Sequence, residues 1–197
     1  MTDLSEYFTP LGKLIDAAHH EFLEQCREIA HKLEMRSRAS VYRDLIVRKL
    51  REFCDETPGV TFISKRQLRI VGLKNNWIIR VKRLRSGFTV AVSPTIASRQ
   101  YDANEVPESL VDLLPNNPPA TCLYLGWSVP ENAPSSILKF LVCNDERREF
   151  AWAIPLGSDE PPAPSVVEEL PFPPSGPDEG PRRRVRIKNA ATRKADE

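Results

Sequence analysis

The chain has 197 residues, with 28 Lys and Arg against 27 Asp and Glu, a net charge of +1, 41% hydrophobic residues and 18 prolines. That length suits one domain plus a surplus, and no apolar run approaches the roughly 18 residues that cross a bilayer, which excludes a membrane-spanning protein. The start lacks the basic-then-apolar layout of an export signal and Cys26, Cys54, Cys122 and Cys143 are widely spaced, so free, mostly buried thiols in a reducing, cytoplasmic compartment are expected.

In chain order, Leu11, Leu14, Ile15, Ala18, Phe22, Cys26, Ile29 and Leu33 recur every three or four residues and predict one long helix from Leu11 to Leu33. A second stripe, Ala39, Tyr42, Ile46, Leu50 and Phe53, follows potential caps at Ser37 to Ser40 and stops before Thr57-Pro58-Gly59. Beyond Gly59 the pattern changes to β-branched and aromatic runs at Val60 to Ile63, Leu68 to Val71, Trp77 to Leu84 and Phe88 to Val92, with turns at Asn75-Asn76 and Ser86-Gly87. These predict an antiparallel meander.

Ser93 to Pro119 reads as a connection holding one short helix, Pro107 to Leu114, capped by Asn104 and stopped by Pro115. Strands return at Cys122 to Val129, Ile137 to Cys143 and Glu149 to Ile154. The expected fold class is α+β: two N-terminal helices packed on a mostly antiparallel sheet of six or seven strands. The expected organisation is a compact domain over 1–156 and a disordered proline-rich linker with a basic C-terminal segment over 157–197. Eight prolines alternate with acidic and small residues up to Pro181, too few bulky apolar groups to offset the entropy of ordering, and Arg182 to Lys188 follow as a basic run.

Charge is unevenly distributed. Thr57 to Tyr101 contains nine Lys or Arg residues and no Asp or Glu, and Arg36, Arg38, Arg43, Arg48, Lys49 and Arg51 precede it. Such a surface attracts polyanions; a basic face docked on an acidic protein is the plainer reading. The residues we single out for nucleic-acid or partner binding are Arg36, Arg38, Arg43, Arg69, Arg80, Lys82, Arg83 and Arg85.

Two helices followed by a meander with the strand Trp77-Ile78-Ile79-Arg80-Val81-Lys82 resemble the core of a PD-(D/E)xK nuclease, in which one strand carries an acid, any residue, then Lys. Arginine occupies the acid position here, and Mg²⁺ needs clustered carboxylates that this stretch lacks. The resemblance therefore implies at most a degenerate core, and an ordinary basic strand face explains Arg80 and Lys82 as well. His20, Glu24, Glu28 and His31 have the spacing of helical metal ligands, but no matching ladder on the second helix completes a site, so we read them as a solvated face and expect no metal and no cofactor. No nucleophile elbow, phosphate loop or dinucleotide fingerprint is present. Trp77, Tyr124, Trp127, Phe140, Phe150 and Trp152 are assigned to packing rather than to base stacking. Whether the chain is an enzyme is left open by these residues.

Met35-Arg36-Ser37-Arg38-Ala39-Ser40 opening a helix, Trp77 to Leu84, Leu114-Pro115, Leu125-Gly126-Trp127 and Phe150-Ala151-Trp152-Ala153-Ile154-Pro155 resemble bacterial phage-defence proteins encoded beside a helix-turn-helix protein with an ImmA/IrrE-type metallopeptidase domain. The resemblance covers Ser37 to Leu156, excludes the tail and carries over no catalytic residues. It implies the toxin of a RosmerTA-like toxin–antitoxin pair, giving antiviral defence by abortive infection and neutralised by the antitoxin from the neighbouring gene. The alternative is a non-catalytic regulator of a defence operon that binds nucleic acid or protein.

Overall fold

The computed structural model describes residues 4–65, 68–74, 77–111, 120–130 and 132–157. The Asn75-Asn76 turn, the end of the short helix beyond Val111, and the linker and basic run from Ser158 onward lie outside them. Among the described residues four helices, α1 (Phe8–Gln25), α2 (Met35–Glu56), α3 (Ile96–Asp102) and α4 (Glu108–Val111), accompany six strands: β1 (Val60–Lys65), β2 (Leu68–Leu73), β3 (Trp77–Arg83), β4 (Thr121–Ser128), β5 (Leu138–Asn144) and β6 (Phe150–Pro155).

The strands lie side by side in chain order. Every neighbouring pair is antiparallel except β3 and β4, which run parallel from Trp77↔Thr121 to Arg83↔Trp127. A parallel pair needs a crossover, and the segment between these strands, carrying α3 and α4, supplies it. The fold is therefore α+β, with N-terminal helices on a mostly antiparallel six-stranded sheet.

Strand alternation splits the core in two. On one face Leu11, Ile15, Ala18 and Phe22 of α1 and Tyr42, Ile46 and Leu50 of α2 meet Val71, Ile79, Val81, Leu123, Leu125, Trp127 and Leu141. On the other, Tyr101 and Leu110 of the crossover meet Ile70, Ile78, Leu84, Cys122, Tyr124 and Val142. Central β4 is buried from Cys122 to Ser128, as expected for a strand covered on both faces. Gly126 is required there, because a Cβ would come within 2.6–2.7 Å of the buried Leu84 side chain. At the end of the sheet Leu156 is buried, and its N–H donates to the Lys139 carbonyl.

Four local expectations are corrected. The first helix stops at Gln25; Ile29 is 48% exposed, and a 3-10 turn at Ala30–Lys32 carries the chain back for α2. No helix-breaking residue marks that point, so the break follows from antiparallel docking of α1 and α2 rather than from propensity. Phe88 to Val92 is not a strand: a 3-10 turn at Ser86–Phe88 leaves one bridge, Leu84↔Val90. Phe88 takes φ +58 there, a costly conformation for a bulky residue, held by ring contacts with Phe140 and Phe150 at 5.0 and 5.1 Å. The connection read as loop contains α3, whose N-cap Thr95 accepts from the Ser98 N–H. Asn104 is not a helix cap; at φ +57 its Oδ1 accepts from the Cys122 N–H at 2.7 Å and ties the crossover to β4.

Candidate nucleic-acid interface

β2 and β3 are paired over three positions, Val71↔Ile79, Gly72↔Ile78 and Leu73↔Trp77, although β2 begins at Leu68 and β3 continues to Arg83. Among the described residues the ladder goes no further, so the two strands part at the end where their cations concentrate. Continued in the same register, Ile70 would face Arg80, Arg69 would face Val81 and Leu68 would face Lys82, leaving Arg69 and Arg83 as the one same-face diagonal pair of cations.

A cleft of about 930 Å³ occupies this parting. α2 contributes Arg36, Ser40 and Arg43, β2 Arg69, β3 Arg80, Lys82 and Arg83, the crossover Ser93, Thr95 and Ser98, and β4 Trp127. Six of the eight sequence-selected cations thus line one cavity, and among the described residues no carboxylate lines it with them. The other two stand apart: Arg38 donates through Nε to the Leu33 carbonyl at 3.0 Å, and exposed Arg85 uses its backbone N–H in the Ser86–Phe88 turn.

The cations differ in setting. Arg36 and Arg43 are exposed on α2, and Arg69 Nη1 lies 3.1 Å from Asp44 Oδ1 in an ion pair open to water. Arg80 and Lys82 are half-buried on the crossover side of β3. Arg80 Nη1 lies 3.4 Å from Ser98 Oγ, and its guanidinium sits 5.9 Å from the Tyr101 ring centroid. The Tyr101 hydroxyl, 2.8 Å from the Ile78 carbonyl oxygen and 2.6 Å from that of Leu123, fixes this ring against the sheet. Lys82 Nζ donates to the Ala91 carbonyl at 2.8 Å. Burial pushes its ammonium down to about 8, the positive charges of Arg80 and Arg43 act in the same sense, and the Asp102 carboxylate opposes them.

Asp102 is the nearest buried acid, and it is engaged: its Oδ1 accepts from the Tyr124 hydroxyl at 3.0 Å and from Asn144 Nδ2 at 2.9 Å. Among the described residues no three His, Cys, Asp or Glu side chains cluster so as to hold a metal ion. The donor set of the cleft is cationic and hydroxylic, so it does not fit the magnesium that a PD-(D/E)xK core would require. The His20–Glu24–Glu28–His31 series is divided: His20 pairs with Glu24 at 3.4 Å on exposed α1, whereas Glu28 and His31 fall beyond the helix end.

The six aromatics belong to the two buried clusters, so the cleft has no exposed stacking platform among them. Trp127 is 3% exposed, its ring lies 4.9 Å from that of Tyr42, and its Nε1 has no hydrogen-bond partner among the described residues. Sequence reading did not select Ser40, Ser93, Thr95, Ser98 or Trp127 as site residues; the Thr95-x-x-Ser98 capping pattern was the available signal for two of them. The cysteines are free, and burial pushes Cys54 and Cys122 up to about 12, which keeps these thiols protonated and unreactive.

Comparison with family models, with curated proteins and with solved structures gave no match. No helix among the described residues is long and apolar enough to cross a membrane.

Proposed function

We propose that this chain binds nucleic-acid phosphates in the cationic cleft, and that it does so as the toxin of a bacterial anti-phage toxin–antitoxin pair that acts by abortive infection. The observation that carries the binding reading is the convergence of Arg36, Arg43, Arg69, Arg80, Lys82 and Arg83 on one cavity that no carboxylate lines among the described residues. Like charges gathered at one cavity repel one another, and a polyanionic ligand offsets that repulsion. The toxin role rests on the family resemblance of Ser37 to Leu156 and brings with it a cytoplasmic setting and a neighbouring helix-turn-helix/ImmA-IrrE antitoxin.

Among the described residues the cleft is lined by cations and hydroxyls, with no carboxylate or histidine, and this lining supports occlusion of a nucleic acid over its cleavage. The same feature supports the second reading, a non-toxic regulator that binds the nucleic acid of a defence operon. Colony formation after inducing the chain alone, and together with its genomic neighbours, separates the two. Killing that a neighbour relieves, and that Arg80→Ala/Lys82→Ala/Arg83→Ala abolishes, supports the toxin. Harmless expression with salt-sensitive nucleic-acid binding supports the regulator, and binding insensitive to salt overturns both.

A further inference from the structure

The cleft has a rim and a floor with different properties, and the difference selects among phosphates. Arg36 and Arg43 are exposed on α2, where a passing backbone can touch them. Arg80 and Lys82 are half-buried on the stretch of β3 that runs past its pairing with β2, and Arg80 meets the hydroxyl of buried Ser98. A duplex is roughly 20 Å across and carries its phosphates on a convex surface, so its diester groups meet the rim and not the floor. A strand end is narrow enough to enter a cavity of about 930 Å³.

Charge points the same way. A phosphodiester carries one negative charge, whereas a terminal phosphate monoester carries about −1.5 to −2 at pH 7 and offers three acceptor oxygens. The floor presents two neighbouring cations with a hydroxyl 3.4 Å from one of them, a donor set that a single diester charge leaves uncompensated. Trp127, whose buried Nε1 has no acceptor among the described residues, lines the same cavity.

We propose that Arg80, Lys82 and Ser98 form a receptor for the terminal phosphate monoester of a single nucleic-acid strand, while Arg36 and Arg43 follow the adjoining backbone. This rests on the nucleic-acid reading above and narrows it from phosphates in general to strand ends. Because monoester oxygens accept charge-assisted hydrogen bonds, the terminal group tightens binding by about tenfold or more over a hydroxyl end.

The test uses the full chain and fluorescence anisotropy with labelled single strands of one sequence, ending in a 5′-phosphate, a 3′-phosphate or hydroxyls only, in DNA and RNA. Preference of tenfold or more for one phosphorylated end supports the proposal and identifies which end enters. The Arg80→Gln/Lys82→Gln variant then binds all three strands with equal affinity, whereas Arg36→Gln/Arg43→Gln weakens all three and keeps the preference. Equal affinity of the wild-type chain for all three ends overturns the proposal and leaves backbone binding standing. No binding of any strand at low salt overturns both. Should the double floor variant fail to fold, Lys82→Met alone serves, and an undiminished end preference in that folded protein overturns the assignment.

Discussion

Lys82 is the residue at which stability and binding are expected to conflict, so Lys82→Met is the sharpest test of the cleft. The ammonium sits at about 8 rather than 10.5, with Arg80 beside it on β3, Arg43 facing it from α2 and Asp102 from α3. At about 1.36 kcal/mol per pH unit, holding the charged form in the folded state costs roughly 3 kcal/mol. Methionine keeps the stem and removes the charge. It also removes the bond to the Ala91 carbonyl, about 1 kcal/mol, though Ala91 is exposed and its carbonyl can turn to water. With water reaching the cleft as well, the net gain at pH 7 is about 1–2 kcal/mol.

The pH dependence has a definite sign. Below pH 8 folded and unfolded chains both hold the proton, and the penalty is complete. Between about 8 and 10.5 the unfolded chain still binds a proton that the folded one has released, so the wild type gains on the variant as pH rises. The raised thiols of Cys54 and Cys122 lower the stability of both proteins above pH 9 and cancel in the difference. Urea unfolding at pH 7 and pH 10 therefore shows Lys82→Met more stable at pH 7, with the advantage largely gone at pH 10. A variant no more stable than wild type at pH 7, or equally stabilised at both pH values, refutes the reasoning.

Gly126→Ala drives a methyl group into Leu84 beneath the crossover and costs about 1–3 kcal/mol, read as a lower urea midpoint at an unchanged slope. Arg36→Ala and Arg43→Ala, both exposed, leave the melting temperature unchanged and each reduce the log–log salt slope of nucleic-acid binding by about 0.7–0.9; an unchanged slope removes that residue from the interface. Ending the chain at Gly157 keeps the buried Leu156 and shifts the melting temperature little, because a segment of the composition found over 158–197 offers few groups to bury. A large drop in a thermal melt contradicts that reading of the tail.

Period alone determined much of this protein. The helical stripe from Leu11 to Phe22, the stripe Tyr42–Ile46–Leu50, and the β-branched runs at Val60, Leu68, Trp77, Cys122, Ile137 and Glu149 each produced the expected kind of element, because local burial pattern is read directly from spacing. So did the acid-free stretch from Thr57 to Tyr101, which marked the cationic side chains without showing which of them meet. Where the first helix stops depended on α1 docking against α2, a contact between segments that no local signal encodes. The parallel pairing of β3 with β4, and hence the placement of α3 across the sheet, depended on a crossover of 37 residues between Arg83 and Thr121, and strand order is a property of the assembled sheet. The cleft is of that kind too. Arg36, Arg69, Arg80 and Ser98 come from four separate elements, and only the parting of β2 from β3 brings them to one cavity.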